Sequence, residues 1–246
     1  MKPIKAFIEL FPGGKALAER LSRRRRARAL KPLGDLAGIF SHYYAVNQWK
    51  NAESISGEGS TFENTQNIRA ALPALFKQFN VRRILDAPCG DYNWFQYIDR
   101  DAGPEYVGGD IVADLVQRNQ EKFADKQTHF VQLDIVRDEL PAADLWLCRD
   151  CLPHLSQALI VQAIKNFLAS DIPYLLTSVH PECGENNDIL TGDFRLLNLE
   201  LPPFAFPPSL LRVDDSSEGL AAKDLVLWHR DALSEALQSN PLFTSA

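Results

Sequence analysis

The sequence has no long apolar run. No stretch approaches the ~20 consecutive apolar residues that a membrane-spanning helix requires, and the first residues lack the unbroken apolar core of a secretory signal peptide. We therefore expect no transmembrane segment and a cytoplasmic location. The chain still holds 46% hydrophobic and 24% charged residues, an ordinary balance for a globular fold, and its 246 residues suffice for one α/β domain with additions.

Cysteine is scarce, with four residues at positions 89, 148, 151 and 183. In a cytoplasmic protein these residues are expected to be reduced thiols. Only Cys148 and Cys151 have the spacing of zinc ligands, with His154 close behind them, whereas a structural zinc site normally needs four ligands. Cys148 also ends an apolar, strand-like run. The sequence therefore predicts no metal site.

Excess basic charge is confined to one segment. Residues 1–31 hold ten Lys/Arg against two Glu, a net charge of +8, and because the whole chain has −6, the remainder has −14. An acidic body disfavours a general nucleic-acid-binding surface. Residues 20–31 could still contact RNA or lipid, although a solvated helix face is the commoner outcome for such a charge run. We predict a basic helical appendage over residues 1–40 and one domain over residues 41–246.

The chain has no internal repeat, and strand-like and helix-like segments alternate instead. Strands are predicted at 82–86, 105–110, 129–134, 143–149 and 174–179, with helices near 92–99, 113–123 and 156–168. Such alternation predicts a parallel, doubly wound α/β sheet. An earlier helix is predicted from Ser60 to Phe79, because Ser60 and Glu63 have the spacing of a capping box.

Residues 180–223 interrupt this alternation, and a late strand at 224–228 and a helix at 231–237 follow. The domain core is therefore predicted over residues 62–180 and 224–246. Because long irregular segments are often functional, we expect residues 180–223 to form a substrate or lid segment. Its polar cluster is predicted to bind a polyhydroxylated or anionic acceptor, with a chain of Asx turns as the alternative; the candidates are Asn187, Asp188 and Arg195.

Three of the predicted strands end in an aspartate: Asp86, Asp110 and Asp134. The carboxyl ends of parallel strands meet at one edge of the sheet, and open α/β sheets bind ligands there. Asp110 ends the second strand, where a carboxylate can accept hydrogen bonds from both ribose hydroxyls. Asp134 could accept one from the amino group of adenine. The three acids together predict a nucleoside site.

The turn after Asp86 lacks the Gly-x-Gly-x-x-Gly pattern of dinucleotide sites. It reads Ala-Pro-Cys-Gly-Asp-Tyr over residues 87–92. Pro88 has no N–H to offer a pyrophosphate, and Asp91 would repel one. The turn therefore suits a nucleoside with a zwitterionic tail and disfavours a nicotinamide dehydrogenase.

These motifs resemble those of the class I S-adenosylmethionine-dependent methyltransferases. In the family's acid-x-Gly-x-Gly-x-Gly motif, Pro88 stands at the first glycine, Gly90 matches the second and Tyr92 stands at the third. The run Asp-Ala-Pro-Cys-Gly-Asp is similar to a bacterial branch with this altered turn. The resemblance covers roughly residues 62–180 and 224–228. It implies a Rossmann-like fold with a seven-stranded, mostly parallel sheet, and S-adenosylmethionine as the cofactor.

The resemblance also implies the cofactor contacts. Asp86 and Gly90, with Cys89 between them in the turn, would lie beside the methionine tail. The ribose would lie at Asp110, and the adenine at Asp134. Ile111 and Ile135, which follow these two acids, complete the predicted contacts.

The fourth strand ends at a position that resembles the methyltransferase motif facing the reacting methyl group. Asp150 could orient or deprotonate a hydroxyl or amine there. His154, with an unperturbed pKa near ~6.5, is the other candidate base, and its alternative is a helix-start residue bonded to backbone. Arg149 could pair with a carboxylate of cofactor or substrate, or with Asp150.

The predicted function is methyl transfer to a hydroxyl, amine or carboxyl of a small molecule or glycan. One alternative is methylation of RNA or protein recruited by the basic segment, although the strand-four motif lacks the Asn/Asp-Pro-Pro-aromatic signature of many nucleic-acid methylases. Another is a non-catalytic, cofactor-binding interaction module, since fold does not fix activity.

Overall fold

The fold is built on a seven-stranded sheet. The computed structural model describes residues 24–25, 27–100 and 103–244. The strand order is β3-β2-β1-β4-β5-β7-β6; the first five strands are mutually parallel, and β7 is antiparallel to β5 and β6. This arrangement confirms the predicted doubly wound, mostly parallel sheet. The strands are β1 Arg83–Asp86, β2 Glu105–Asp110, β3 Thr128–Gln132, β4 Leu145–Cys148, β5 Tyr174–Val179, β6 Leu211–Asp214 and β7 Asp224–His229.

Helices precede, connect and follow the strands. They are α1 Leu36–Ala45, α2 Gln66–Gln78, α3 Ala113–Phe123, α4 Gln157–Ala169, α5 Arg230–Leu237 and α6 Pro241–Thr244. Helix α4 begins after Ser156, whose hydroxyl accepts a hydrogen bond from the Leu159 N–H, a favourable N-cap. Its buried residues, Ile160, Ile164 and Phe167, recur at helical spacing and attach the helix to the sheet.

The central strands are buried on both faces. Successive strand residues point to opposite faces of a sheet, so in β1 Leu85 joins the core on one face and Ile84 the core on the other. Trp146 and Leu147 divide in the same way in β4. Two-sided burial explains why these strands are continuously apolar and why the polar residues follow only at their carboxyl ends.

The helix predicted over 92–99 is wrong, because the segment contains only the 3₁₀ turn Phe95–Tyr97. Tyr92 has a left-handed backbone conformation, with φ of 59°. Tyr92, Trp94 and Phe95 are all buried, and these three positions do not share one face of an α-helix. The segment is therefore shaped by burial of its aromatic rings on the sheet.

The capping box predicted at Ser60 is also wrong. Helix α2 begins at Gln66, and Thr65 before it makes no side-chain capping bond. Ser60 belongs instead to the 3₁₀ turn Glu58–Ser60, where its carbonyl accepts from the Asn93 side-chain amide at 3.0 Å. This tertiary bond holds Ser60 away from the helix start.

Two other regions differ from prediction at their boundaries. Helix α1, Leu36–Ala45, runs across the predicted domain boundary between residues 40 and 41. Strand β6 lies inside the segment predicted to be irregular; it has four residues and is only half-buried, so its local signal is weak.

Residues 24–25 and 27–30 are helical, but predictions for residues 1–23 lie outside the described residues. Of the helices described, none is long and apolar enough to cross a membrane.

Candidate functional site

A cavity of about 510 Å³ opens where the carboxyl ends of β1, β2 and β4 meet. The strand order reverses between β1 and β4, and open α/β sheets bind ligands at such a switch point. The cavity brings together every residue predicted for cofactor binding or catalysis: Asp86, Cys89, Gly90, Asp110, Ile111, Asp134, Ile135, Arg149, Asp150 and His154.

Asp110 is held in a fixed orientation at the end of β2. Its Oδ2 accepts from the Gly90 N–H at 3.1 Å and its Oδ1 accepts from the Val112 N–H at 3.0 Å. Burial raises the pKa of Asp110 to about 6 despite these bonds. Each carboxylate oxygen has two lone pairs, so Asp110 can still accept from two ribose hydroxyls.

Asp86 is the most deeply buried acid of the cavity, with 3% of its surface exposed. The Tyr106 hydroxyl donates to its Oδ2 at 2.7 Å. Burial raises the pKa of Asp86 to about 7, although this bond and the charge of Arg149 act in the opposite direction. A bound ammonium group would hold the carboxyl ionised. Asp86 therefore suits the amino end of a zwitterionic tail.

Apolar side chains close in sequence to Asp110 and Asp134 line the same cavity: Ile111, Val112, Leu115, Leu133 and Ile135. The Asp134 carboxylate also lines the cavity and accepts from the Val136 N–H at 2.9 Å. An apolar lining with one such acceptor suits a purine with an exocyclic amino group. The residues present therefore fit an adenosine with a charged amino-acid tail.

Asp91, in the turn after β1, binds a segment over residues 54–60 that we call the roof. Its carboxylate accepts from Ser54 Oγ at 2.9 Å, Ile55 N–H at 2.8 Å and Ser56 Oγ at 3.2 Å. A Cβ on Gly90 would lie 2.2 Å from Ser56 Oγ, and the φ of Gly90 is +55°, so only glycine fits beneath this segment. The sequence predicted only that Asp91 would repel phosphate; its role as an anchor depends on a segment 35 residues away.

Aromatic residues from α1 and the loop after it extend the roof. Tyr44 and Trp49 line the cavity, whereas Tyr43 lies behind them and donates its hydroxyl to the Gly192 carbonyl at 2.9 Å.

Arg149 lies in a buried charge cluster that we define as Arg149, Asp150, Asp215 and Lys223. Arg149 donates to both carboxylate oxygens of Asp215, at 2.8 and 2.9 Å, and lies 3.3 Å from Asp150. Lys223 contacts Asp150 and lies 3.4 Å from Asp215. The predicted pairing of Arg149 with Asp150 is present, but the bidentate partner is Asp215. The cluster therefore balances two cations with two carboxylates.

This cluster decides the protonation state of Asp150. Burial by itself raises the pKa of Asp150, but the charges of Lys223 and Arg149 outweigh burial and hold the pKa well below its ordinary value. Ser178 Oγ also donates to its Oδ1 at 3.1 Å. Asp150 is a stable carboxylate, so it can orient an acceptor but takes up a proton poorly.

His154, in contrast to Asp150, has a nitrogen that can take up a proton. Its Nδ1 lies 2.8 Å from the Asp193 carbonyl oxygen, which can only accept, so Nδ1 carries the proton and Nε2 keeps its lone pair. Burial lowers the pKa of His154, so the ring is neutral near pH 7. The predicted alternative for His154 is a residue bonded to backbone near a helix start. The bond to the Asp193 carbonyl is such a backbone bond, and His154 ends the 3₁₀ turn Leu152–His154.

Several cavity residues were missed by the sequence reasoning. Lys223 and Phe194 line the cavity from the segment after β5, and Asp215 supports it from behind; no local spacing indicates them. His180 also lines the cavity and directly follows β5. The strand-end rule that identified the three acids would have found His180.

The predicted acceptor residues Asn187, Asp188 and Arg195 are absent from the cavity lining. Asn187 is exposed. Asp188 accepts from the Gln157 N–H at 2.7 Å, at the start of α4. Arg195 is buried and donates to the Leu155 carbonyl at 2.6 Å. That these residues bind an acceptor stays a prediction.

All four cysteines are free thiols. Among the residues that the structure describes, no group of three or more His, Cys, Asp or Glu side chains is placed to hold a metal ion.

Solved methyltransferase structures share this fold. The Burkholderia thailandensis 1,6-didemethyltoxoflavin-N1-methyltransferase, with 1,6-didemethyltoxoflavin and S-adenosylhomocysteine bound, is similar at a TM-score of 0.57 and 15% identity over 82% of this chain and 89% of that one. The magnesium protoporphyrin IX methyltransferase of Synechocystis PCC 6803, with S-adenosylmethionine bound, is similar at 0.52 and 17% identity over 78% and 96%. No protein-family model and no curated protein matches the sequence. At these identities the likeness shows the fold.

Proposed function

We propose that this protein binds S-adenosylmethionine and transfers its methyl group to a hydroxyl or amine of a small molecule. The observation that carries the proposal is that three carboxylates line one cavity with His154: Asp86 and Asp110 end β1 and β2, and Asp134 lies two residues after β3. The two similar structures support it, because both are of methyltransferases named for small-molecule substrates.

Different cavity residues would bind different parts of the cofactor. Asp110 would accept from the ribose hydroxyls, Asp134 and Ile135 would hold the adenine, and Asp86 would hold the ammonium group beside Cys89. When bound, S-adenosylmethionine supplies an electrophilic methyl group on a sulfonium sulfur, which an acceptor atom takes to leave S-adenosylhomocysteine. The enzyme's main task is then to align the acceptor.

His154 is the proposed base for an acceptor hydroxyl. Its Nε2 has a lone pair, and the Nδ1 bond to Asp193 fixes the ring orientation. Asp150 is the proposed orienting group, since Lys223 and Arg149 hold it ionised. Proton removal by a positioned side chain contributes about 10²- to 10⁴-fold to rate.

The charges of the cavity favour neutral acceptors over carboxylates. Its two cations, Arg149 and Lys223, are already paired with Asp150 and Asp215. A carboxylate acceptor would therefore meet no uncompensated positive charge from this cluster. Recruitment of RNA or protein through residues 20–31 has less support, because the motif after β4 lacks the Asn/Asp-Pro-Pro-aromatic signature of many nucleic-acid methylases.

Titration calorimetry with S-adenosylhomocysteine tests the proposal. We expect micromolar binding by the wild type and at least a hundredfold loss in Asp110→Ala. Asp114→Ala is the matched control, since Asp114 is an exposed acid four positions away in the first turn of α3, and it should bind like the wild type. No binding by the wild type would reject the proposal and favour a non-catalytic interaction module.

A further inference from the structure

Two histidines flank one aromatic ring on the cavity wall. The ring centroid of Phe194 lies 5.5 Å from that of His154 and 5.8 Å from that of His180. All three side chains line the cavity, and Phe194 is 55% exposed. We call this part of the cavity lining the histidine wall.

Backbone hydrogen bonds give the two rings opposite tautomers. The His154 Nδ1–H donates to the Asp193 carbonyl, which leaves Nε2 as an acceptor. The His180 Nδ1 accepts from the Leu197 N–H at 3.2 Å, so the proton of the neutral ring is on Nε2. Burial lowers the pKa of both rings and keeps them neutral. The histidine wall therefore offers one acceptor and one donor.

Part of the surroundings of the wall is aromatic and apolar, and the paired charges of Asp150 and Lys223 line the same cavity. The Trp49 ring packs edge-on against His154 with centroids 6.0 Å apart. Leu36, Phe40 and Tyr44 line the cavity from α1. Such a space favours a flat, apolar molecule whose few polar atoms meet the few polar atoms of the wall.

We propose that the histidine wall is the acceptor subsite and that it selects an uncharged aromatic ring bearing a hydroxyl and a second oxygen. The hydroxyl donates to His154 Nε2, the second oxygen accepts from His180 Nε2–H, and the ring packs against Phe194 and Trp49. This inference rests on the proposed function and narrows its substrate class. A ligand without the second oxygen leaves the His180 donor unpaired, which we expect to weaken binding about tenfold.

The test measures binding of simple phenols to the wild-type protein saturated with S-adenosylhomocysteine. The probes are catechol and resorcinol, which have two oxygens at different spacings, phenol, which has one, and benzoate, which is anionic. Calorimetry should show at least one diphenol binding about tenfold more tightly than phenol, and benzoate binding more weakly than phenol.

Asparagine substitutions distinguish the role of Nδ1, which bonds to backbone, from the role of Nε2, which is proposed to contact the probe. In His180→Asn the amide oxygen can still accept from Leu197, but the Nε2 donor is lost, so the preference for the diphenol should disappear while phenol affinity stays the same. In His180→Gln the amide reaches the Nε2 position, and the preference should persist. His154→Asn keeps a donor to Asp193 and should weaken every hydroxylated probe about tenfold. His129→Asn, on the exposed face of β3, is the control and should match the wild type.

Three results would overturn the inference: benzoate binding as tightly as the diphenols, an unchanged diphenol preference in His180→Asn, or no probe binding to protein that has bound S-adenosylhomocysteine. A purely structural role for His180 would make the Gln variant lose the preference as fully as the Asn variant. Failure to bind S-adenosylhomocysteine at all would instead reject the proposed function, so the two failures are distinguishable.

Discussion

Replacing Asp86 by Asn should stabilise the ligand-free protein, and by more at alkaline than at acidic pH. Burial raises the pKa of Asp86 to about 7, against about 3.9 for an ordinary aspartate. The difference is about three powers of ten in the dissociation constant, which correspond to about 4 kcal/mol. That is the free energy by which the ionised carboxyl destabilises the folded state relative to the unfolded chain.

The sign follows from the protons that each state binds. Below about pH 4 the carboxyl is protonated in both states and has no effect. Between about pH 4 and pH 7 the folded protein keeps a proton that the unfolded chain has lost, so stability falls as the pH rises. Above pH 7 the full effect remains. Asn is neutral at every pH, and its amide oxygen can still accept from the Tyr106 hydroxyl.

Urea unfolding of both proteins without cofactor, followed by tryptophan fluorescence, measures the effect. From pH 5 to pH 8.5 the free energy of unfolding of Asp86→Asn should rise by about 3 kcal/mol relative to the wild type. Asp114→Asn changes an exposed acid and should show no comparable trend. An identical difference between Asp86→Asn and the wild type at the two pH values would refute the reasoning. The stabilised variant should also bind S-adenosylhomocysteine more weakly, a trade of function for stability.

Three other substitutions give separate outcomes. Asp215→Ala leaves two buried cations with one carboxylate and should lower the free energy of unfolding by about 3–5 kcal/mol in chemical denaturation; a loss below 1 kcal/mol would contradict a tightly paired cluster. Asp91→Ala removes three hydrogen bonds to the roof, so amide exchange at residues 54–60 should become faster, and unchanged exchange would mean that other contacts hold the roof. His154→Asn should slow methylation of a hydroxyl acceptor by about 10²- to 10⁴-fold. Wild-type turnover should rise with pH through a pKa below the ordinary ~6.5 of histidine, and the same pH profile in the variant would exclude His154 as the base.

Local sequence patterns were sufficient for most of the fold. The predicted bounds of β2, β5 and α3 agree with the structure, because two-sided burial and helical spacing each leave a clear period in the chain. The positions of Asp86, Asp110 and Asp134 followed from one topological rule, that parallel strands end at a common edge. These features depend on residues close in sequence or on general properties of α/β sheets.

The site chemistry depends on residues far apart in sequence, and it was less predictable. Asp215 lies 66 residues from Arg149, its bidentate partner, and the antiparallel β6–β7 pair brings it there. The sequence offered both Asp150 and His154 as candidate bases, with orientation of the acceptor as the other role of Asp150. Only the three-dimensional arrangement separates them, since Lys223 and Arg149 hold Asp150 ionised, whereas a single carbonyl leaves His154 with a free lone pair.

The buried charge cluster contains residues from the last part of the chain to be synthesised, so the cavity is completed late during translation. Strands β1 to β5 and the acids Asp86, Asp110 and Asp134 are synthesised before residues 211–229, which supply Asp215, Lys223 and the antiparallel partner of β5. A ribosome-bound chain halted near residue 200 therefore has Asp86, Asp110 and Asp134 but an unpaired β5 edge and no Asp215 or Lys223 beside Arg149. The cavity lining is completed by Leu220, Ala221 and Lys223 from the segment between β6 and β7, so a product truncated near residue 200 would lack part of the cavity lining.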